Sequence, residues 1–217
     1  MKMSNIIRDD EHIFIAGMTG CGKTKLAEVY TGGMESVIKI DTKQEYDSKR
    51  AENEEPWEGL KEGTDYEVCY SLEQVMQSQS EKIIYQVPWH EQEEEFYNKL
   101  FEWCFTNGHI RVWVDELMTV CPNSMSMPRW LKAIYTAGRS RHCSIIGCSQ
   151  RPTGIPAIAI ANSTHYFCFA LPQPQDRKKM YDITGCPEFM QKPDKYLFWY
   201  YKQGMDEGEA ILATLDL

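Results

Sequence analysis

An apolar run, His12-Ile13-Phe14-Ile15-Ala16, leads directly into the octet Gly17-Met18-Thr19-Gly20-Cys21-Gly22-Lys23-Thr24, and the octet into a helix-like run, Lys25-Leu26-Ala27-Glu28-Val29-Tyr30. No other stretch constrains the fold as much. Glycine, four residues, then Gly-Lys-Thr is the pattern of a loop whose backbone N–H groups close around phosphate. Glycines suit it because Cβ atoms would collide with the anion. The helix behind the loop presents free N–H groups and a partial positive charge at its first turn. The expected nucleotide contacts are Gly17, Met18, Thr19, Gly20, Cys21, Gly22, Lys23, Thr24 and Lys25. Lys23 is placed to reach the β and γ phosphates and Thr24 to offer its hydroxyl to Mg²⁺. ATP and Mg²⁺ are therefore the expected cofactors.

Strand-like and helix-like segments alternate along the 217 residues. Short apolar runs mark strands at Ile13–Ala16, Val37–Ile40, Lys82–Val87, Ile110–Val114, Ser144–Cys148 and His165–Ala170. Helices are expected over Lys23–Tyr30, Gln92–Asn107 and Met127–Gly138, with Phe96, Leu100, Trp103 and Cys104 forming the apolar face of the second. Continuous apolar strands between helices predict an α/β fold with a central, mostly parallel sheet covered on both faces. Residues 48–80 are the least regular, and Glu52–Thr64 reads as a surface excursion. Tyr196–Tyr201 and Gly208–Leu217 suggest a small C-terminal hairpin. The length fits one domain, with a core of about 10–171 and an extension of about 172–217.

A second motif turns nucleotide binding into hydrolysis. Val112-Trp113-Val114-Asp115-Glu116 ends a buried-type strand in two carboxylates. Ligand groups in parallel sheets sit at carboxyl ends of strands. Asp115 is placed to hold Mg²⁺ opposite Thr24, and Glu116 to polarise the attacking water. A third strand ends in Ser149-Gln150-Arg151-Pro152, which brings Gln150 towards the γ-phosphate or, equally, to a backbone partner. Arg139 and Arg141 precede that strand. Either is a candidate to stabilise charge on a neighbour's γ-phosphate, and the sequence does not choose between them.

Composition narrows the partners. The net charge of −9 argues against binding nucleic acid over the whole surface, while Arg129, Lys132, Arg139, Arg141 and Arg151 mark a local basic region. Eight cysteines without a Cys-x-x-Cys pair read as reduced, buried thiols rather than disulfides, and with ligand pairs at the usual spacing missing no zinc site is expected. No apolar run is long enough for a bilayer, and no signal-peptide core stands in Met1–Asp10, so a cytoplasmic location is expected, with virion association as an alternative.

Taken together, the motifs resemble the FtsK–HerA superfamily of P-loop motor ATPases (ASCE/RecA-like fold), and within it the viral genome-packaging ATPases. The resemblance runs from about Ile13 to Leu171. It rests on the P-loop, on Asp41-Thr42-Lys43-Gln44-Glu45-Tyr46 after the second strand, on Val112–Glu116 as Walker B, and on Gly138-Arg139 leading to Ser149-Gln150-Arg151-Pro152. Thr42 and Gln44 depart from the family's usual Pro and Gly, so that turn is expected to differ. The resemblance implies a homo-oligomeric ring of five or six subunits threading double-stranded DNA, with ATP at subunit interfaces. It further implies Gln150 as polar sensor, an arginine from the 139–141 segment acting in trans, and portal or capsid-vertex proteins as partners. Catalytic roles thus fall to Glu116, Lys23, Gln150 and Arg139 or Arg141. Two alternatives stand beside the motor. One is an assembly or secretion protein that uses ATP as a switch. The other is a nucleotide or small-molecule kinase, which has no need of Glu116.

Overall fold

The computed structural model describes residues 7–206 and 209–215. Within the expected N-terminal segment and C-terminal hairpin, residues 1–6, Gly208 and residues 216–217 lie outside the described residues, as does residue 207. Nine strands form one sheet: β1 (Ile13–Ala16), β2 (Val37–Asp41), β3 (Glu67–Cys69), β4 (Lys82–Gln86), β5 (Arg111–Val114), β6 (Ser144–Ser149), β7 (His165–Phe169), β8 (Leu197–Lys202) and β9 (Ile211–Thr214). Their spatial order is β3-β4-β2-β5-β6-β1-β7-β8-β9. The first seven are parallel to one another, and β8 and β9 add an antiparallel hairpin. The α/β class and the terminal hairpin therefore stand as expected.

Among the described residues, eight α-helices accompany these strands: α1 (Lys23–Gly32), α2 (Glu45–Ala51), α3 (Leu72–Gln77), α4 (Glu94–Asn107), α5 (Leu117–Val120), α6 (Arg129–Ala137), α7 (Ala157–Ala161) and α8 (Pro174–Thr184). Strand side chains alternate between two layers, as the pleat requires. Phe14, Ala16, Ile38, Val112 and Ile145 pack with Leu100 and Phe101 of α4 and Leu131 and Ile134 of α6. Ile13, Ile15, Trp113, Ile146 and Phe167 pack with Leu26 and Ala27 of α1 on the other side. Full burial of each such Ile, Leu or Phe contributes about 1.5–3 kcal/mol, so both layers hold the strand ends in place. In α4, Tyr97 and Phe101 join Leu100 and Cys104 as the fully buried residues, whereas Phe96 and Trp103 are only partly covered. The inward stripe is thus rotated from the one expected.

The 48–80 segment is more ordered than its composition suggests. It supplies the end of α2, the edge strand β3 and helix α3. Trp57, inside the acidic stretch, is fully buried and donates its indole N–H to Thr31 Oγ1 at 3.1 Å. Lys39 of β2 is buried with it, its Nζ 3.1 Å from the Pro56 carbonyl, 3.6 Å from Glu28 and over the Trp113 ring. Lys49 of α2 reaches the same buried Glu28. This charged knot ties α1, which carries the P-loop, to β2, α2 and the excursion. Removing one partner of a buried ion pair typically costs about 3–5 kcal/mol.

All eight cysteines are buried and free. Burial pushes the Cys121 and Cys143 thiols up to about 12, which keeps them protonated and unreactive. No helix among the described residues is long and apolar enough to cross a membrane.

Candidate nucleotide site

The strand order assembles the site. The carboxyl ends of β2, β5, β6 and β1 lie side by side, so their following residues meet although they are far apart in sequence. The octet turns from β1 into α1. Gly17 N donates to the Ser149 carbonyl at 3.1 Å and Met18 N to the Ala170 carbonyl at 2.9 Å, which anchors the loop to both flanking strands. A Cβ at Gly17 would lie 2.6 Å from Phe169 Cβ and 2.7 Å from Cys21 Sγ, so only glycine allows this approach. Helix α1 begins at Gly22 with no side-chain hydrogen bond to its first turn. The end is open to an anion, as the phosphate cradle requires.

Lys23 is buried and its Nζ donates to the Met18 carbonyl at 2.9 Å, which folds the side chain back across the loop. Thr24 Oγ1 donates to Asp115 Oδ1 at 3.1 Å, across 91 residues of sequence. The expected hydroxyl–carboxylate pair is therefore in contact. Thr19 Oγ1 donates to Gln150 Oε1 at 2.7 Å, which joins the third strand end to the loop. Lys25 pairs instead with Glu58 of the excursion.

Glu116 follows Asp115 at the start of α5. It is buried, and its Oε1 has no hydrogen-bond partner. Burial pushes its carboxyl pKa up, opposed by the charges of Lys43 and Lys23 and by a backbone hydrogen bond. An unpaired buried carboxylate oxygen is costly in a structural role. Such groups cluster where chemistry needs a poised acid or base.

Lys43 is the contributor that the sequence motif contained but did not single out. Its Nζ sits 3.1 Å from Asp115 Oδ2. Burial alone would lower its pKa, but the Asp115 charge and hydrogen bond raise it. Asp41 of the same motif is occupied differently. Its two carboxylate oxygens accept from Glu45 N and Tyr46 N at 3.0 and 2.9 Å and so fix the start of α2. The turn with Thr42 and Gln44 closes through a left-handed Gln44, φ 58°. Beside the loop lies a cleft of about 390 Å³ lined by Met18, Thr19 and Gly20 on one wall and Lys192, Asp194 and Lys195 on the other. No sequence motif marks that second wall, because it comes from an irregular stretch between α8 and β8.

Arg139 and Arg141 do not join this cluster. They precede β6, so the length of that strand, about 20 Å, separates them from the carboxyl-end site of the same chain. Arg139 pairs with Asp10 at 3.1 Å. Arg141 donates to the Phe105 and Thr106 carbonyls at 3.3 and 3.2 Å. Arg151 lies at the other end and binds the buried Asp176 of α8 at 2.8 Å. The basic region of the sequence is thus divided between opposite ends of the sheet.

No protein-family model matches the chain, and no curated protein matches it in sequence. Solved structures do match. The genome packaging NTPase B204 from Sulfolobus turreted icosahedral virus 2, in complex with ATP-gammaS, superposes with a TM-score of 0.73 at 15% identity, over 97% of this chain and 100% of that one. VirB4 of Thermoanaerobacter pseudethanolicus gives 0.61 at 12% identity, over 95% and 89%. The pCW3 conjugation coupling protein TcpA gives 0.60 at 14% identity, over 94% and 60%. The chain has the α/β P-loop NTPase fold of these structures.

Proposed function

We propose that this protein is an ATP-hydrolysing motor that translocates double-stranded DNA, packaging a viral genome as a ring of identical subunits. The observation that carries the reading is the meeting of Thr24 with Asp115 and of Thr19 with Gln150 at the glycine loop, beside a Glu116 with one oxygen left without a partner. A donor set of hydroxyl and carboxylate oxygens suits Mg²⁺, and the uncapped glycine loop suits a triphosphate. Bound there, Mg²⁺ would supply charge neutralisation to the phosphates.

The chain's own residues then have separable tasks. Lys23 leaves the Met18 carbonyl to meet the β and γ phosphates. Thr24 and Asp115 would hold the metal. Lys43 keeps Asp115 oriented and favours the ionised form of Glu116. Glu116 accepts a proton from water, and its raised pKa makes it a better base than an ordinary surface carboxylate. Gln150, tied to Thr19, lies where loss of the γ-phosphate would alter the loop. The cleft beside Lys192 and Asp194 offers room for the nucleoside end.

The placement of the arginines supports the ring. Neither reaches its own subunit's site, so a role in hydrolysis requires a neighbouring subunit's phosphate. The structural likeness to B204, whose described role is genome packaging, supports the choice of cargo.

A secretion or assembly switch is the second reading, favoured by the likeness to TcpA, whose described role is conjugation coupling rather than packaging. The test is the ATP hydrolysis rate with and without double-stranded DNA. Stimulation by DNA supports the motor. Hydrolysis indifferent to DNA favours the switch, and ATP binding without any hydrolysis rejects the motor.

A further inference from the structure

We propose that Asp9, His109 and His142 form a binding site for a transition-metal dication of the zinc type, at the end of the sheet away from the nucleotide loop. The three residues come from separate segments: the chain before β1, the turn between α4 and β5, and the turn before β6. One ligand atom from each lies within 4.8 Å of the other two. The two imidazoles stack face to face, centroids 4.7 Å apart and planes 5° from parallel. His142 Nδ1 stands 3.3 Å from Asp9 Oδ2.

The donor set selects the ion. Two imidazole nitrogens and one carboxylate oxygen match zinc, with water as a fourth ligand. Magnesium and calcium prefer oxygen alone, which separates this site from the one at Thr24 and Asp115. Zinc-bound ligand atoms lie roughly 3.3 Å apart for Zn–N distances near 2.0–2.1 Å. Closing to that spacing requires the exposed rings to turn out of their stack, since a shared ion lies in the plane of each imidazole.

The backbone brings the pair together deliberately. His109 and His142 both occupy the left-handed region, φ 52° and 51°, which few residues other than glycine adopt. His109 N donates to the Arg141 carbonyl at 2.9 Å, clipping the two turns to each other. Gly108, at φ +70°, makes the approach possible, since a Cβ there would sit 2.5 Å from that same carbonyl. The nearby cations are turned elsewhere. Arg139 is held by Asp10, Arg141 by the Phe105 and Thr106 carbonyls, and Arg111 by the Glu35 carbonyl. Bound metal would staple the segment before β1 to the turn that carries Arg139 and Arg141, and so fix the position of both arginines. The site itself does not depend on the nucleotide reading.

The experiment titrates metal-free, nucleotide-free full-length protein with Co²⁺, followed by displacement with Zn²⁺. One equivalent of Co²⁺ should give the visible absorption of a four-coordinate N/O site, and Zn²⁺ should abolish it. H109N and H142N should each weaken binding by at least about tenfold, the scale on which even outer-sphere partners act. Asparagine tolerates left-handed backbone, so these variants should retain their fold, as circular dichroism will report. D9N, which changes no backbone constraint, should also weaken binding, while H90N, on a distant turn, should not. The proposal is overturned if the H109N/H142N double variant binds Co²⁺ and Zn²⁺ as tightly as the parent. It is equally overturned if the signal is lost in D115N and kept in the double variant.

Discussion

The two ends of the sheet treat charge in opposite ways. At the carboxyl end, Lys23, Asp115 and Glu116 are buried and set against one another, with one Glu116 oxygen left without a partner. At the amino end, Arg139 and Arg141 are exposed and rest on the largely buried Asp10 carboxylate and on backbone carbonyls. Buried, incompletely satisfied charge is expensive and marks a site that waits for a ligand. Exposed arginines cost little, so their use depends on what docks against them. The carboxyl end thus gathers a candidate site within a single chain. On the proposed reading, the amino end supplies half of a site whose remainder lies on another molecule.

The largest effect should come from the amino end. Substituting the trans-acting arginine, by Arg139→Ala or Arg141→Ala, should cut the steady-state ATPase rate by about 10³-fold or more while leaving ATP affinity unchanged. A loss of ATP affinity instead would put that arginine in its own subunit's site and erase the contrast. At the carboxyl end, Glu116→Gln should slow hydrolysis by about 10²–10⁴-fold with ATP retained, measured by single-turnover release of phosphate. Full biological activity of that variant would favour a switch over a motor. Lys23→Ala should weaken ATP binding by about 1.5–3 kcal/mol in calorimetry, the worth of a charge-assisted contact.

Smaller effects sharpen the electrostatics. Burial raises the Glu116 pKa and Lys43 opposes that rise. The base works ionised, so activity should climb with pH through this pKa. Lys43→Ala removes the opposing charge and should move the acid limb of the rate profile to higher pH. A carboxyl whose pKa rises on folding favours the folded state only at low pH, and that contribution fades as pH climbs. Glu116→Gln should accordingly leave stability at neutral pH unchanged or slightly raised, read as an equal or higher Tm.

Much of the carboxyl end was legible in the sequence because its motifs are local. Gly17–Thr24, Asp115-Glu116 and Gln150 each follow an apolar strand, and a parallel sheet delivers such residues to one edge. Lys43 and Asp176 were not legible as site-builders. Their partners, Asp115 and Arg151, lie 72 and 25 residues away, and only the fold brings them together. Helix α8 escaped notice because it buries just Asp176 and Met180 and so lacks an apolar stripe. The excursion misled for a related reason: Trp57 is a lone anchor in an acidic run, with no periodicity to betray its burial. The arginines were visible as residues, but their separation from the loop depends on which end of β6 they occupy.

The central claim is that the two ends act together across a subunit boundary, and mixing variants tests it most directly. Lys23→Ala subunits keep their arginines, and subunits carrying Arg139→Ala with Arg141→Ala keep their nucleotide loops. Each preparation alone should be nearly inactive. Combined at varied ratios with double-stranded DNA present, they should recover part of the parent ATPase rate, greatest near equal proportions. Mixtures that never exceed the sum of their separate rates would contradict a shared site.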